Sequence, residues 1–286
     1  MNGKVGVIGA GQMGSGIAHV FAQSGFEVLL HDVSAAQLAK AKQGIEANLA
    51  RQAKKGALDA GAIPGIMARI ATVTEPSAFS ACGLAIEAVS EHEPLKLELF
   101  RKLDAILPSS AILASNTSSI PITRLAAATK RPERVIGMHF MNPVPVMGLV
   151  EVIRGIATSD ATFAEVAELV KRLGKEQAVS QDYPGFIVNR ILIPMINEAA
   201  FVVYEGIASP EDVDKGMKLG TNQPMGPLAL ADLIGLDTVL AIMKVLHDGF
   251  GDPKYRPCPL LVKLVGAGRL GRKSGQGFHA YAKGTP

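Results

Sequence analysis

The first fourteen residues constrain this chain more than any other stretch. Lys4 to Gly9 (KVGVIG) is a short β-branched run that reads as a buried strand. It passes directly into Gly9-Ala10-Gly11-Gln12-Met13-Gly14, a G-x-G-x-x-G loop that opens a helical stretch from Gln12 to Ser24, stopped by Gly25. A glycine pattern alone is weak, but a strand before it and a helix after it are the context in which it binds a dinucleotide. Gly9 permits the tight turn, Gly11 lets the backbone approach a pyrophosphate, and Gly14 lets the helix pack against the strand. The free N–H groups at the helix N-terminus and the positive end of its dipole then face the phosphates, and Ala10, Gln12 and Met13 count with the three glycines as cofactor-binding residues. Asp32 ends the second strand, Glu27 to His31, eighteen residues after Gly14. An acid there accepts hydrogen bonds from the adenine ribose hydroxyls and repels a 2′-phosphate, so NAD is expected over NADP. A glycine turn and a surface acid without a ligand is the plainer reading. It accounts for each feature singly but not for all of them together.

Strand and helix go on alternating. Leu84 to Val89, Ala111 to Ser115, Arg134 to Phe140 and Leu149 to Ile153 read as strands, with helices at Ser34 to Lys55 and Leu95 to Leu107. This predicts βαβ units and a mostly parallel sheet. Near Asp182-Tyr183-Pro184-Gly185 the strand signals fade. Phe186 to Tyr204 is apolar at helical spacing, Ser209-Pro210-Glu211-Asp212 is a capped helix start, Gly226-Pro227 opens another helix, and Leu236 to Leu246 reads as a further one. The expected architecture is therefore an α/β, Rossmann-like, NAD-binding domain over 1–184 and an all-helical domain over 185–286, with only the last few residues frayed. Phe186, Ile187, Ile191, Leu192, Ile193, Met195 and Ile196 are too many apolar residues for one helix face. This predicts a helix buried on all sides, central to the second domain and part of a dimer interface.

Composition removes other classes. The chain of 286 residues is 48% hydrophobic and 19% charged, so general disorder is excluded. No apolar run reaches the length of about 18 residues that a membrane span needs. The N-terminus shows neither a signal-peptide layout nor an Arg-rich transit segment, which predicts a cytoplasmic protein. A net charge of +3 is too mild for a nucleic-acid binder, but suits a small acidic, phosphorylated ligand. Cys82 and Cys258 form no disulfide framework and read as small buried hydrophobes. His19, His31, His92, His247 and His279 show no metal-ligand spacing, so no metal is expected.

The candidate chemistry lies at strand ends. His139, in MHFMNPVP, closes one strand, and Glu151, in LVEVI, sits in the next. A carboxylate behind a histidine fixes its tautomer and makes it a general base. A lone strand-end histidine is more often structural, but a carboxylate between Val150 and Val152 needs a partner, which favours a His–Glu pair. Ser115 to Ser119 (SNTSS) follows a strand and suits a polar ligand, although most of these hydroxyls read equally well as caps for the helix after Ile120-Pro121. Asn189 is a polar residue in an apolar helix and must be satisfied or functional. Arg51, Lys54 and Lys55 end the long helix, either as a solvated basic turn or as contacts for a phosphate-bearing substrate. His92-Glu93-Pro94 reads as a cap region.

Six stretches carry a resemblance: VGVIGAGQMGSGIA, ASNTSSIPIT, GMHFMNPVPVMGLVEVI, DYPGFIVNRIL, GMKLGTNQPMGPLALADLIGLD and GRKSGQGF. The chain resembles, nearly end to end, the L-3-hydroxyacyl-CoA dehydrogenase family and most closely its bacterial 3-hydroxybutyryl-CoA branch. The resemblance implies that His139, oriented by Glu151, takes the proton of the 3-hydroxyl as hydride leaves for the nicotinamide. It implies that Ser118 and Asn189 hold the substrate oxygen, with Ser118 also near the cofactor. It implies that Glu91, Lys96, Asn142 and Lys273 contact the nicotinamide half, and that Asn48 and Lys55 meet coenzyme A, with Arg51 and Lys54 beside them. The expected reaction interconverts (S)-3-hydroxybutyryl-CoA and acetoacetyl-CoA, in fatty acid or butanoate metabolism, by a homodimer formed through the helical domain. The chain departs from the family pattern in carrying Asn48 where a hydroxyl meets coenzyme A, and Phe278-His279-Ala280-Tyr281 at its end.

Two rivals remain at this level. One is a β-hydroxyacid dehydrogenase acting on a free acid, which resembles this chain in its first half but uses a lysine in its helical domain. The other is a non-catalytic NAD-binding structural protein. The His139–Glu151 pair speaks against the first, and the set Ser118, His139, Glu151 and Asn189 against the second.

Overall fold

A computed structural model describes residues 3–281, and the chain divides into two compact units, Met1–Tyr183 and Pro184–Pro286. Residues 282–286, read from the sequence as part of a frayed end, lie outside the described residues.

The first unit runs β1 (Lys4–Ile8), α1 (Gln12–Gln23), β2 (Val28–His31), α2 (Ala35–Lys54), α3 (Ile63–Ala68), β3 (Ile70–Val73), β4 (Cys82–Glu87), α4 (Glu93–Ile106), β5 (Ile112–Ser115), α5 (Ile122–Ala126), β6 (Val135–Phe140), β7 (Leu149–Arg154), α6 (Asp160–Arg172) and β8 (Glu176–Gln181). The strands form one eight-stranded sheet in the order β3-β2-β1-β4-β5-β6-β7-β8. Every neighbouring pair is parallel except β6 and β7. Central strands covered on both faces must be apolar throughout, and β6 (VIGMHF) is buried at every position. The chain reverses its winding between β1 and β4, so the loops after these two strands leave a crevice at their C-terminal ends.

β3 and β8 are absent from the expected strands, for one physical reason. Both are sheet edges, where residues stay partly open to water and no continuous apolar run is needed. Helix boundaries follow local chemistry more closely. Ser34 caps α2 by accepting the Gln37 N–H at 3.2 Å, and Ser159 caps α6 by accepting the Thr162 N–H at 3.1 Å. His92 stands at the N-cap of α4 without a side-chain cap bond, and Glu93 in its first turn pairs with Arg124. Cys82 and Cys258 are both free and buried, and burial pushes the Cys82 thiol up to about 11.

The second unit is helical: α7 (Val188–Tyr204), α8 (Pro210–Gly220), α9 (Pro227–Ile234), α10 (Leu236–Phe250) and α11 (Pro259–Gly266). Its core is built from Ile193, Ile196, Leu228, Leu236, Met243 and Leu261, among others. Ser209 caps α8 as its sequence suggests, accepting the Asp212 N–H at 3.2 Å. Buried polar groups here act as staples. Asn197 binds the Arg256 carbonyl and the Cys258 N–H, and Asp214 accepts the N–H groups of Leu228 and Ala229 at the head of α9. Asp232 holds the terminal segment through Phe278, His279 and Tyr281, and burial, aided by the Asp232 charge, pushes the Tyr281 phenol up to about 12.

α7 shows, in the single chain, part of the burial expected of it. It begins at Val188 because Gly185 and Phe186 both adopt positive φ, 75° and 50°, which no helix can accommodate. It is buried on one face, through Ile193, Ile196 and Ala200, and not on all sides: Ile191 is 67% exposed. Among the described residues, no helix is long and apolar enough to cross a membrane. No group of three metal-ligating side chains is present among them either.

Candidate active site

The glycine loop shows why Gly9 and Gly14 are needed. A Cβ on Gly14 would lie 1.7 Å from the Gly9 carbonyl oxygen, so α1 packs against the loop only because that atom is missing. Gly9 has φ +98°, and a Cβ there would meet the Ala88 carbonyl oxygen at 2.6 Å. Gly11 faces open space, and its side of the loop lines a cavity of about 910 Å³ with Gly9, Asp32, Val33, Ala88 and Leu95. The α1 N-terminus has no side-chain cap, so its N–H groups remain available. The Asp32 carboxylate is held from behind by the Ala10 N–H at 2.9 Å and the Ser34 N–H at 3.0 Å. A glycine floor, an uncapped helix start and a fixed acid in one cavity fit NAD.

His139 and Glu151 face each other in the antiparallel register of β6 and β7. The His139 Nδ1–H donates to Glu151 Oε2 at 2.7 Å, with Glu151 fully buried and His139 8% exposed. The bond at Nδ1 directs the other ring nitrogen, Nε2, to act as the acceptor. β5 runs beside β6, and the Asn116 side chain ties the two together by accepting the Phe140 N–H at 2.9 Å. The segment 115–119 and His139 therefore share one edge of the sheet.

That segment rests on a charged network. The Glu91 carboxylate accepts the Ser118 and Ser119 N–H groups at 3.1 Å each and the Thr117 hydroxyl at 2.5 Å. Thr117 and Ser115 are committed to the structure, but not as caps of α5, which has no side-chain cap bond: Thr117 Oγ1 accepts the Ile120 N–H, and the Ser115 hydroxyl donates to Glu87. Among the described residues, the hydroxyl of half-buried Ser118 has no such commitment. Burial raises the Glu91 carboxyl, but the Lys96 ammonium and the hydrogen bonds from Thr117 and Ser119 outweigh it and hold it below the usual carboxylate range.

Lys96 is itself enclosed, 1% exposed, with Nζ 2.7 Å from Glu87 and 3.0 Å from Glu91. It therefore meets the site through Glu91. Glu87 escaped the sequence reading, although the argument that singled out Glu151 applied to it equally: it is an acid closing an apolar strand, CGLAIE, and such a group must find a partner.

Asn142 accepts a hydrogen bond from Gln12 Nε2 at 3.0 Å, which joins the β6–β7 connection to the glycine loop. A second cavity, of about 440 Å³, is lined by Gln12, Gly44, Asn48, Arg51, Asn142 and Val144. Arg51 donates to the Asn48 amide oxygen. Lys54 and Lys55, at the end of α2, are exposed and do not line this cavity. Met13 packs against the core of the first unit. Asn189 and Lys273 belong to the second unit, where Asn189 is half-buried on α7 and Lys273 pairs with Asp237 at 2.6 Å.

Known proteins are similar to this chain over nearly its whole length. The NAD binding domain of 3-hydroxyacyl-CoA dehydrogenase matches residues 4–183, and the C-terminal domain of the same family matches 185–281. A 3-hydroxybutyryl-CoA dehydrogenase of Bradyrhizobium diazoefficiens is 58% identical over 283 residues, covering 99% of this chain and 97% of its own. The human mitochondrial hydroxyacyl-coenzyme A dehydrogenase is 45% identical, covering 97% of this chain and 90% of its own. The crystal structure of (S)-3-hydroxybutyryl-CoA dehydrogenase from Ralstonia eutropha superposes with a TM-score of 0.96 at 51% identity, covering 99% of this chain and 100% of its own. With both halves matched in order and relatives spanning nearly every residue, the chain belongs to the 3-hydroxyacyl-CoA dehydrogenase family.

Proposed function

We propose that this chain is an NAD-dependent dehydrogenase that interconverts (S)-3-hydroxybutyryl-CoA and acetoacetyl-CoA. The observation that carries the reading is the 2.7 Å bond between His139 Nδ1 and the buried carboxylate of Glu151. In the oxidative direction, His139 Nε2 takes the proton of the 3-hydroxyl as the C3–H bond breaks. Glu151 keeps the ring in the tautomer whose Nε2 is an acceptor, and stabilises the imidazolium that forms. Bound NAD supplies the hydride acceptor, and NADH the donor in reverse. The Ser118 hydroxyl holds the substrate oxygen, so that the reacting carbon has one approach, and Asn189 is a further proposed substrate contact. Gly9 to Gly14 and Asp32 hold the adenosine and pyrophosphate, while Glu91, Asn142 and Lys273 serve the nicotinamide half and Lys96 acts behind Glu91. Asn48, Arg51, Lys54 and Lys55 supply polar and basic contacts for coenzyme A.

The deciding experiment follows NADH absorbance with acetoacetyl-CoA, and repeats it with NADPH and with free acetoacetate. Rapid loss only with NADH and the CoA ester is the expected result. Turnover of free acetoacetate instead would overturn the substrate assignment, and bound NADH without any turnover would overturn the catalytic one.

We also propose that the chain forms a homodimer through its helical unit. Ile191, Tyr204, Ile207 and Leu219 are large apolar side chains, 67%, 48%, 69% and 79% exposed, and a second copy would remove them from water. Light scattering should give twice the 30.0 kDa chain mass. A monomer that persists at high concentration would refute this.

A further inference from the structure

The connection between β6 and β7, residues 141–148, carries Asn142 and joins the strands of His139 and Glu151. It is anchored at several points. Gln12 donates to Asn142, the Glu176 N–H donates to the Gly148 carbonyl at 2.8 Å, and Val144 presses on α1 so closely that a Cβ on Gly16 would lie 2.8 Å from Val144 Cβ. A further anchor is charged. Lys175, just before β8, is 8% exposed, and its Nζ donates to the Val144 carbonyl at 2.8 Å and the Met147 carbonyl at 2.6 Å.

Burying an ammonium group costs free energy, and these acceptors are neutral carbonyls that return only part of it. Burial accordingly holds the Lys175 ammonium below the usual lysine range. An apolar side chain would fill the same space without that penalty. What the ammonium adds is several donors on one atom, so it can hold both ends of the turn Val144–Met147 at once. The amide groups of Val146 and Met147 both bond to the Pro143 carbonyl at 3.0 Å, so the tethered turn is a closed unit beside Asn142.

We propose that Lys175 is a positioning residue for hydride transfer, fixing through the Val144 and Met147 carbonyls the segment that presents Asn142 to the cofactor. This rests on the reading of Asn142 as a cofactor contact. Lys175 touches neither substrate nor cofactor and acts through the backbone it holds.

The test uses the full chain with Lys175→Met, which removes every donor, and Lys175→Gln, which keeps one donor group and covers the case in which Lys175→Met does not fold. Lys171→Met, at an exposed lysine paired only with Glu168, is the control. Amide exchange over 141–148 should accelerate about tenfold or more in the Lys175 variants while the central strands keep their protection. The NADH Kd should weaken about tenfold and kcat should fall by a similar factor, with the KM for acetoacetyl-CoA changing less than about twofold. The control should match the wild type throughout.

A lowered Tm with unchanged NADH Kd and unchanged kcat would overturn the proposal and leave Lys175 a stabilising residue only. Unchanged exchange over 141–148 would overturn it as well. If the wild type binds NADH but turns over no CoA ester, the proposed reaction fails, while NADH affinity and exchange still decide the role of Lys175.

Discussion

The ring of His139 offers two nitrogens, and Glu151 takes one of them. Replacing His139 with alanine removes the proposed acceptor for the hydroxyl proton but none of the groups that line the dinucleotide cavity. Stopped-flow turnover of His139→Ala should therefore show kcat lower by about a hundredfold or more, with NADH affinity largely kept. Near-normal turnover would remove His139 from the base role. Asp32 is a second single-residue test. Its carboxylate is fixed by two backbone N–H groups and is the proposed ribose contact, so Asp32→Ala should narrow the preference for NADH over NADPH by about tenfold. An unchanged ratio would mean that another group sets cofactor choice. At this scale, Asp32 was legible because its spacing from the glycine loop is local. Glu151 was legible only as a problem, an acid among valines, whose solution lies on another strand. Glu87 posed the same problem and passed unread, because its partners are Lys96 and Ser115, on separate elements.

Elements followed the sequence wherever local chemistry decides them. The caps Ser34 and Ser209 start helices because each side-chain oxygen accepts an N–H from its own first turn, and that needs no tertiary partner. The edge strands β3 and β8 needed the sheet to exist before they could join it. The packing of α1 on β1 gives a paired prediction. Gly14→Ala should destabilise the protein by about 1–3 kcal/mol and weaken NADH binding, because helix and loop must part to admit the methyl group. Gly44→Ala, in the middle of α2 with nothing near its Cβ position, should instead stabilise it by about 0.5–1 kcal/mol. Urea titrations of both variants check the contrast. Equal shifts would show that glycine content, and not the close approach at Gly14, governs these helices.

Across the whole molecule, acid stability follows from two buried histidines. Burial lowers the pKa of His19, 0% exposed, and of His31, 5% exposed, below the ordinary value of 6.5. Above that value both folded and unfolded chains are neutral at these sites, and neither histidine adds a pH dependence. As pH falls below it, the unfolded chain takes up protons that the folded chain refuses, and stability declines by up to about 1.4 kcal/mol per pH unit for each group. Denaturation midpoints should drop between about pH 6.5 and pH 5, and His19→Gln should flatten the slope. A slope unchanged by this substitution would assign the acid sensitivity to other groups. The sequence by itself determined the dinucleotide loop, its acid, the order of strand and helix and the change to helices beyond Tyr183, because these are written in neighbouring residues and in short periodicities. Tertiary structure alone decided that β6 and β7 run antiparallel in a register that sets His139 against Glu151, that Glu87, Lys96 and Glu91 form one charged network beneath Ser118, and that Lys175 reaches the carbonyls of the β6–β7 connection. Each of these is a contact between residues far apart in the chain, set by strand direction and sheet order, which no local pattern encodes.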